Sequence, residues 1–328
     1  MSKLDAQRVE RINLPVIDVD ALRSPSPEIR NAAVAALRTA CLDNGFFYIS
    51  NHGIPDQLAE GVFSAARSLF ELPAAEKNTL DLSKSPCGHG YEPLKRQTLE
   101  AGAPADLKEG YYMGSEAGSN AKFTGPNLWP TTLPAFRASM EAYYGEMRAL
   151  AESIMQGLAL SLSLDPDYFA EFCRQPYARL RLLHYPPQPP NAGENEKGAG
   201  AHTDFGGITI LLQDSCGGLQ VLDRKTDSWI HADPVPGTFV VNLGDMMARW
   251  TNDRYQSTLH RVVNTSGRER YSIPFFFHGN LDYAVECIPT CLDAGERPAY
   301  DGTTVASHFV KKMSQSYATA PPVLPAHT

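Results

Sequence analysis

After Pro166 the chain becomes a series of short apolar runs, and that series limits the folds open to it. The runs are "YARLRLLHYPP" (177–187), "GITILLQ" (207–213), "GLQVLD" (218–223), "GTFVVNLGD" (237–245), "STLHRVVN" (257–264), "RYSIPFFFHGN" (270–280) and "DYAVECI" (282–288). Each is rich in β-branched or aromatic residues, and turn residues follow each one. Seven such runs at short spacing predict a β-sandwich or barrel.

The first half reads differently. "LPVIDVDAL" (14–22) predicts a short strand, and residues 28–44 carry Ile29, Ala33, Ala36, Leu37, Ala40 and Cys41 at helical spacing up to Asn44-Gly45. "FFYIS" (46–50) predicts a buried strand, and a helix follows Pro55 and stops at Pro73. Residues 83–130 are rich in Gly, Pro, Ser and Asn, with one strand-like patch at 109–114. A stretch this long and irregular predicts a lid or binding loop. The longest predicted helix, 134–163, spaces Phe136, Met140, Tyr143, Met147, Leu150, Ile154 and Leu158 as a core face. A last helix is expected over 303–315. No linker divides the chain, so residues 1–165 are expected to buttress a β core at 166–328 within one composite domain.

Thirty-seven acidic against 29 basic residues give a net charge of −8, and no basic stripe is present, which argues against nucleic acid as a partner. The opening "MSKLDAQRVERINLP" has no apolar h-region and no stretch approaches a membrane span, so no membrane partner and a cytoplasmic location are expected, with a monomer as the default. The six cysteines are expected to be reduced. "CIPTC" (287–291) has no second pair to complete a zinc site.

Among nine histidines, His202 stands two residues before Asp204 at the mouth of an apolar strand. Residues i and i+2 of an extended chain share a side. That spacing can present two ligands to one ion, or two polar groups to water. His260, in "STLHRVV", can reach the same spot across an antiparallel barrel. Two imidazoles and a carboxylate on one face leave octahedral positions open, a set that suits iron(II). Arg270 and Ser272 also stand two apart, a guanidinium fork and a hydroxyl that would make a carboxylate socket. His52, His89, His231, His278, His308 and His327 have no comparable partner in sequence.

"HTD" (202–204), "LHRVV" (259–263) and "RYS" (270–272), together with "LPVIDVDAL", "GFFYISNHGIP" and "SLFELPAAEK", resemble the non-haem iron(II) oxygenases, the family of isopenicillin N synthase and the 2-oxoglutarate-dependent dioxygenases. The likeness runs from about residue 13 to residue 312. It implies an α+β, mostly β fold: a distorted double-stranded β-helix, or jelly-roll, with flanking helices. It implies iron held by His202, Asp204 and His260, and the distal carboxylate of 2-oxoglutarate held by Arg270 and Ser272 with help from Tyr185. Dioxygen would be the second co-substrate, and a small molecule would be hydroxylated or desaturated with release of succinate and carbon dioxide. Position in the matched regions points to Tyr112, Arg249 and Phe276 as pocket residues. One departure is Leu183, where many members carry asparagine two residues before the tyrosine. An oxidase of the isopenicillin N synthase type, with Arg270 and Ser272 gripping a carboxylate of the substrate, stays open. A non-catalytic jelly-roll binding module and a zinc hydrolase are the remoter alternatives.

Overall fold

The computed structural model describes residues 14–116, 123–188, 193 and 195–316. His327 therefore lies outside the described residues, as do parts of the loops at 83–130 and 186–200. The first half contributes β1 (Val16–Asp18), α1 (Val19–Leu22), α2 (Pro27–Asp43), β2 (Phe46–Ser50), α3 (Asp56–Phe70), α4 (Ala74–Thr79), β3 (Gly90–Glu92), β4 (Glu109–Gly114) and α5 (Phe136–Ser161). The second half begins with α6 (Ala170–Cys173), β5 (Tyr177–Tyr185), β6 (Ala199–His202), β7 (Ile208–Gln213), β8 (Leu219–Asp223) and β9 (Ser228–His231). It continues through β10 (Phe239–Leu243), α7 (Asp245–Trp250), β11 (His260–Val262), β12 (Arg270–Gly279), β13 (Ala284–Val285), β14 (Thr303–Thr304) and α8 (Val305–Ser316).

Two sheets face each other. The larger runs β1-β2-β10-β7-β12-β5-β4-β3 and the smaller runs β6-β11-β8-β9. Together they form a double-stranded β-helix whose larger sheet carries helices on its outer face. The outer core joins Leu37 of α2, Val62, Ala66 and Leu69 of α3, and Met140, Met147, Ile154 and Leu158 of α5 to Ile208, Ile210, Phe275 and Phe277 of the sheet. A second, smaller core lies between the sheets and includes Phe46, Tyr48, Leu183, Tyr185, Leu219, Val221 and Val262. Strands of the larger sheet are thus buried on both faces, which is why they read as nearly continuous apolar runs. Fully burying one such side chain contributes roughly 1.5–3 kcal/mol.

Local chemistry sets the element ends. Pro27 starts α2, and after Asn44 the Gly45 amide closes back on the Ala40 carbonyl at 2.9 Å. Gly45 has φ +65°, and a Cβ there would stand 2.0 Å from the Gln256 carbonyl oxygen. Only glycine turns this corner into β2.

The first half does more than buttress the β core. β1 and β2 enter the larger sheet beside β10, and β3 and β4 extend its other edge beyond β5. Among the elements not expected from sequence are α4, β6 and β9. The stretch 83–130 is also less irregular than its composition suggests, because it contains β3, paired with β4 from Gly90↔Tyr112 to Glu92↔Gly110. All six cysteines are free, and no described helix is long and apolar enough to cross a membrane.

Candidate metal and co-substrate site

The antiparallel pairing of β11 with β6 sets His260 directly opposite His202. Asp204 follows two residues after β6 ends. One donor atom from each of the three lies within 4.8 Å of the others, and this is the only such cluster among the described residues. The Nε2 atoms of His202 and His260 stand 3.8 and 3.7 Å from Asp204 Oδ1. Each imidazole uses its other nitrogen on the backbone: His202 Nδ1 donates to the Gly200 carbonyl at 2.8 Å, and His260 Nδ1 to the Thr258 carbonyl at 3.2 Å. Those bonds leave both Nε2 lone pairs facing the cluster.

Asp204 Oδ2 accepts from Thr209 Oγ1 at 2.6 Å and Asn242 Nδ2 at 2.8 Å, so Oδ1 is left for the imidazoles' side. Burial and the neighbouring His260 hold the His202 pKa down at about 4, which keeps the ring neutral. Burial alone would raise the Asp204 carboxyl, but the facing imidazoles and the Thr209 and Asn242 bonds outweigh it and keep the group ionised. Two neutral-capable imidazoles and one carboxylate oxygen on one side of a cavity fit a divalent iron with open positions. The turn carrying Asp204 is clamped: the Asp245 amide donates to the Asp204 carbonyl at 2.8 Å, and a Cβ on Gly244 would stand 2.2 Å from the Gly206 carbonyl oxygen.

Arg270 and Ser272 lie on β12 with β5 and β7 on either side, Arg270 opposite Tyr185 and Ser272 opposite Leu183 and Gln213. Arg270 is 0% exposed. Its Nε donates to the Gly217 carbonyl at 2.5 Å, Nη1 to Ser272 Oγ at 3.2 Å and Nη2 to Gln213 Oε1 at 3.1 Å, while its guanidinium lies 4.7 Å over the Tyr185 ring. No described carboxylate pairs with it. The inner cavity is lined by these residues, by the three candidate ligands, and by Phe46, Leu183, Leu211, Leu219 and Val262. Leu183 thus occupies an apolar patch of wall, and the other polar residues lining the same cavity are Lys108, Arg181, Thr209 and Asn242.

An outer chamber opens on His202 and Asp204 and is walled by Tyr112, Phe205, Phe276, Phe309 and Met313, with Arg179, Arg181 and His278 among them. Tyr112 and Phe276 therefore face it. Arg249 does not: it sits on α7, bonded to the Asp301 carbonyl and stacked 4.8 Å over Tyr300. Its partners lie about fifty residues on in the chain, where position in the matched regions gives no hint of them. Sequence reasoning missed Lys108, Arg179, Arg181, Gln213, Asn242 and His278. The signal for two of them was available, since Arg179, Arg181, Leu183 and Tyr185 alternate along β5 and all face the cavity.

Residues 14–132 match the family described as the non-haem dioxygenase in morphine synthesis N-terminal region, and residues 173–279 match the 2OG-Fe(II) oxygenase superfamily. The 2-oxoglutarate-Fe(II) type oxidoreductase hxnY of Emericella nidulans is 43% identical over 317 residues, covering 93% of this chain and 91% of that protein. The crystal structure of a full-length Neurospora crassa enzyme in complex with alpha-KG superimposes with a TM-score of 0.85 at 30% identity, covering 92% and 96% of the two chains. The same enzyme in complex with alpha-KG and thymine gives 0.83 at 31%, with 92% and 96% coverage. The relatives take 2-oxoglutarate, which sets this chain apart from the isopenicillin N synthase-type oxidases and from a non-catalytic module. The chain belongs to the 2-oxoglutarate- and iron(II)-dependent dioxygenases.

Proposed function

We propose that His202, Asp204 and His260 hold the iron(II), and that Arg270 and Ser272 hold the distal carboxylate of 2-oxoglutarate, with Tyr185 stacked on the Arg270 guanidinium. A small organic molecule in the outer chamber is then oxidised with release of succinate and carbon dioxide. The observation that carries this reading is Arg270, a fully buried guanidinium that no described carboxylate neutralises. A buried charge without a partner costs several kcal/mol, and a dicarboxylate arriving at this position offsets that cost. When bound, the metal supplies the activation of dioxygen coupled to decarboxylation of the keto acid.

The chain's own contributions are positional. The Gly217 carbonyl, Gln213 and Tyr185 fix the plane of the Arg270 fork before a ligand arrives. Ser272 Oγ accepts from Arg270, so its own proton is free to donate to a carboxylate oxygen. Leu183, Leu211, Leu219 and Val262 keep water from the inner cavity. That the Neurospora enzyme is seen with thymine supports a small, flat molecule as the kind of substrate such a chamber takes.

Adding 2-oxoglutarate to iron-loaded protein without oxygen should produce the weak visible charge-transfer band of a keto-acid chelate, and air should then release succinate. Arg270→Ala loses a charge-assisted contact of about 1.5–3 kcal/mol, roughly one to two decades in 2-oxoglutarate affinity. Arg270→Lys should recover part of it, since a point charge cannot reproduce the planar fork. Full iron occupancy with neither band nor succinate would return the reading to an oxidase whose Arg270 grips the substrate's own carboxylate.

A further inference from the structure

Strand β5 turns two guanidinium groups into the outer chamber, and they differ. Arg181 makes a short charge-assisted bond to the buried Glu92. Arg179 has no carboxylate partner among the described residues. Its Nη2 donates to the carbonyls of Cys87 at 2.8 Å and Gly88 at 2.9 Å, and its plane lies 5.2 Å over Tyr112 and 5.7 Å over Tyr177. These contacts fix its orientation but bring no counter-charge. Its Nε is buried without a hydrogen-bond acceptor. Phe276 stands directly opposite Arg179 in the β5–β12 register, and the Phe276 and His278 rings lie near-parallel at 10° with centroids 6.2 Å apart.

Among the described residues lining the two cavities, nearly all the charge cancels once the site is loaded. Iron(II), the Asp204 carboxylate, the two carboxylates of 2-oxoglutarate and Arg270 come to zero together. Arg181 is balanced by Glu92, and Lys108 by Asp106. His278 is neutral, because burial and Arg179 push its pKa down to about 3. Apart from Asp204, no carboxylate among the described residues lines the chamber. Among these the positive charge of Arg179 is left over, in a chamber where the Phe276 and His278 rings form one near-flat stretch of wall and which reaches His202 and Asp204.

We propose that the substrate is a small flat acid, a carboxylate carried on an aromatic or conjugated ring, with the carboxylate on Arg179 and the ring against Phe276. The proposal rests on the reading of the inner cavity given above. An anion here forms charge-assisted bonds in a partly dry chamber, where they are strongest. A neutral analogue of the same shape leaves Arg179 as it was.

The test uses the iron(II)- and 2-oxoglutarate-loaded enzyme without oxygen, whose chelate band reports both an intact inner cavity and a folded protein. Benzoate, phenylacetate and cinnamate are each titrated against their own carboxamides to millimolar concentrations, and the shift of the band is read. At least one acid should bind about tenfold or more tightly than its amide, a preference of about 1.4 kcal/mol. Arg179→Gln should bring that ratio to about one and Arg179→Lys should restore part of it, whereas an arginine that only staples the loop at Cys87 and Gly88 would leave the ratio unchanged. In air, the preferred acid should also speed succinate release. The proposal is overturned if no acid shifts the band, if acids and amides bind alike, or if Arg179→Gln keeps the acid preference. An absent chelate band overturns the inner-cavity reading and this proposal with it.

Discussion

Asp204 shows how much a single carboxylate depends on residues that touch no ligand. Its Oδ2 is held by Thr209 and Asn242, and only then does Oδ1 face the two imidazoles at a fixed angle. Removing either donor leaves Oδ2 with one hydrogen bond in place of two and loosens the orientation of the carboxylate. Asn242→Leu and Thr209→Val should each weaken iron(II) binding about 10–100-fold. Anaerobic iron titration measures this, and unchanged affinity in both variants would mean that Asp204 is positioned by its backbone alone. The three candidate ligands were legible, because "HTD" and a later strand histidine stand out by residue type. Asn242 was not. It reads as one more residue of an apolar run until the β10–β7 pairing sets it opposite Thr209.

At the scale of elements, β5 shows what alternation does and does not reveal. Arg179, Arg181, Leu183 and Tyr185 face the two cavities, while Leu180 and Leu182 join the outer core. His184 is the exception on the outer face. It pairs with Glu109 of β4 at 2.7 Å and makes a short bond to Glu269. Burial works against a charged His184, but the hydrogen bonds to the two glutamates outweigh it and raise its pKa. Burial would likewise raise the Glu109 carboxyl, yet bonds from His184, Tyr91 and Lys77 hold it down at about 2. The raised His184 pKa contributes stability that is complete below about 6.5 and lost as pH rises through the folded value. The lowered Glu109 pKa contributes stability that is complete above about 4.3 and lost as pH falls towards its folded value. The urea midpoint of wild type should therefore exceed that of His184→Gln most at about pH 5–6, with the gap closing above about 6.5. A gap that stays constant from mildly acid to alkaline pH would remove this cluster from the account. Strand length explains what sequence missed here. β3, β6 and β9 have three or four residues each, too few for a period of two to be read, and α4 hides behind Pro73.

For the molecule as a whole, the expected double-stranded β-helix is the observed one, but its division into a helical half and a β half does not describe the sheet. β2 pairs with β10 from Phe239↔Ile49 to Asn242↔Phe46, and β4 pairs along β5 from Glu109↔His184 to Gly114↔Arg179. Strand partners far apart in sequence are not encoded in local periodicity, so the apolar runs could be found without their neighbours. That topology is what gathers the site: β6 and β11 bring the imidazoles, the β7–β10 pair steadies the carboxylate, and β5, β7 and β12 close around Arg270. The most direct measurement of this convergence is anaerobic equilibrium dialysis of iron(II) against wild type and His260→Ala, with circular dichroism to show that both are folded. Wild type should hold one iron per chain, and the variant, left with two donors on one strand end, should hold almost none at the same free iron. Full occupancy in folded His260→Ala would contradict the account, because the metal would then not sit between the paired strands.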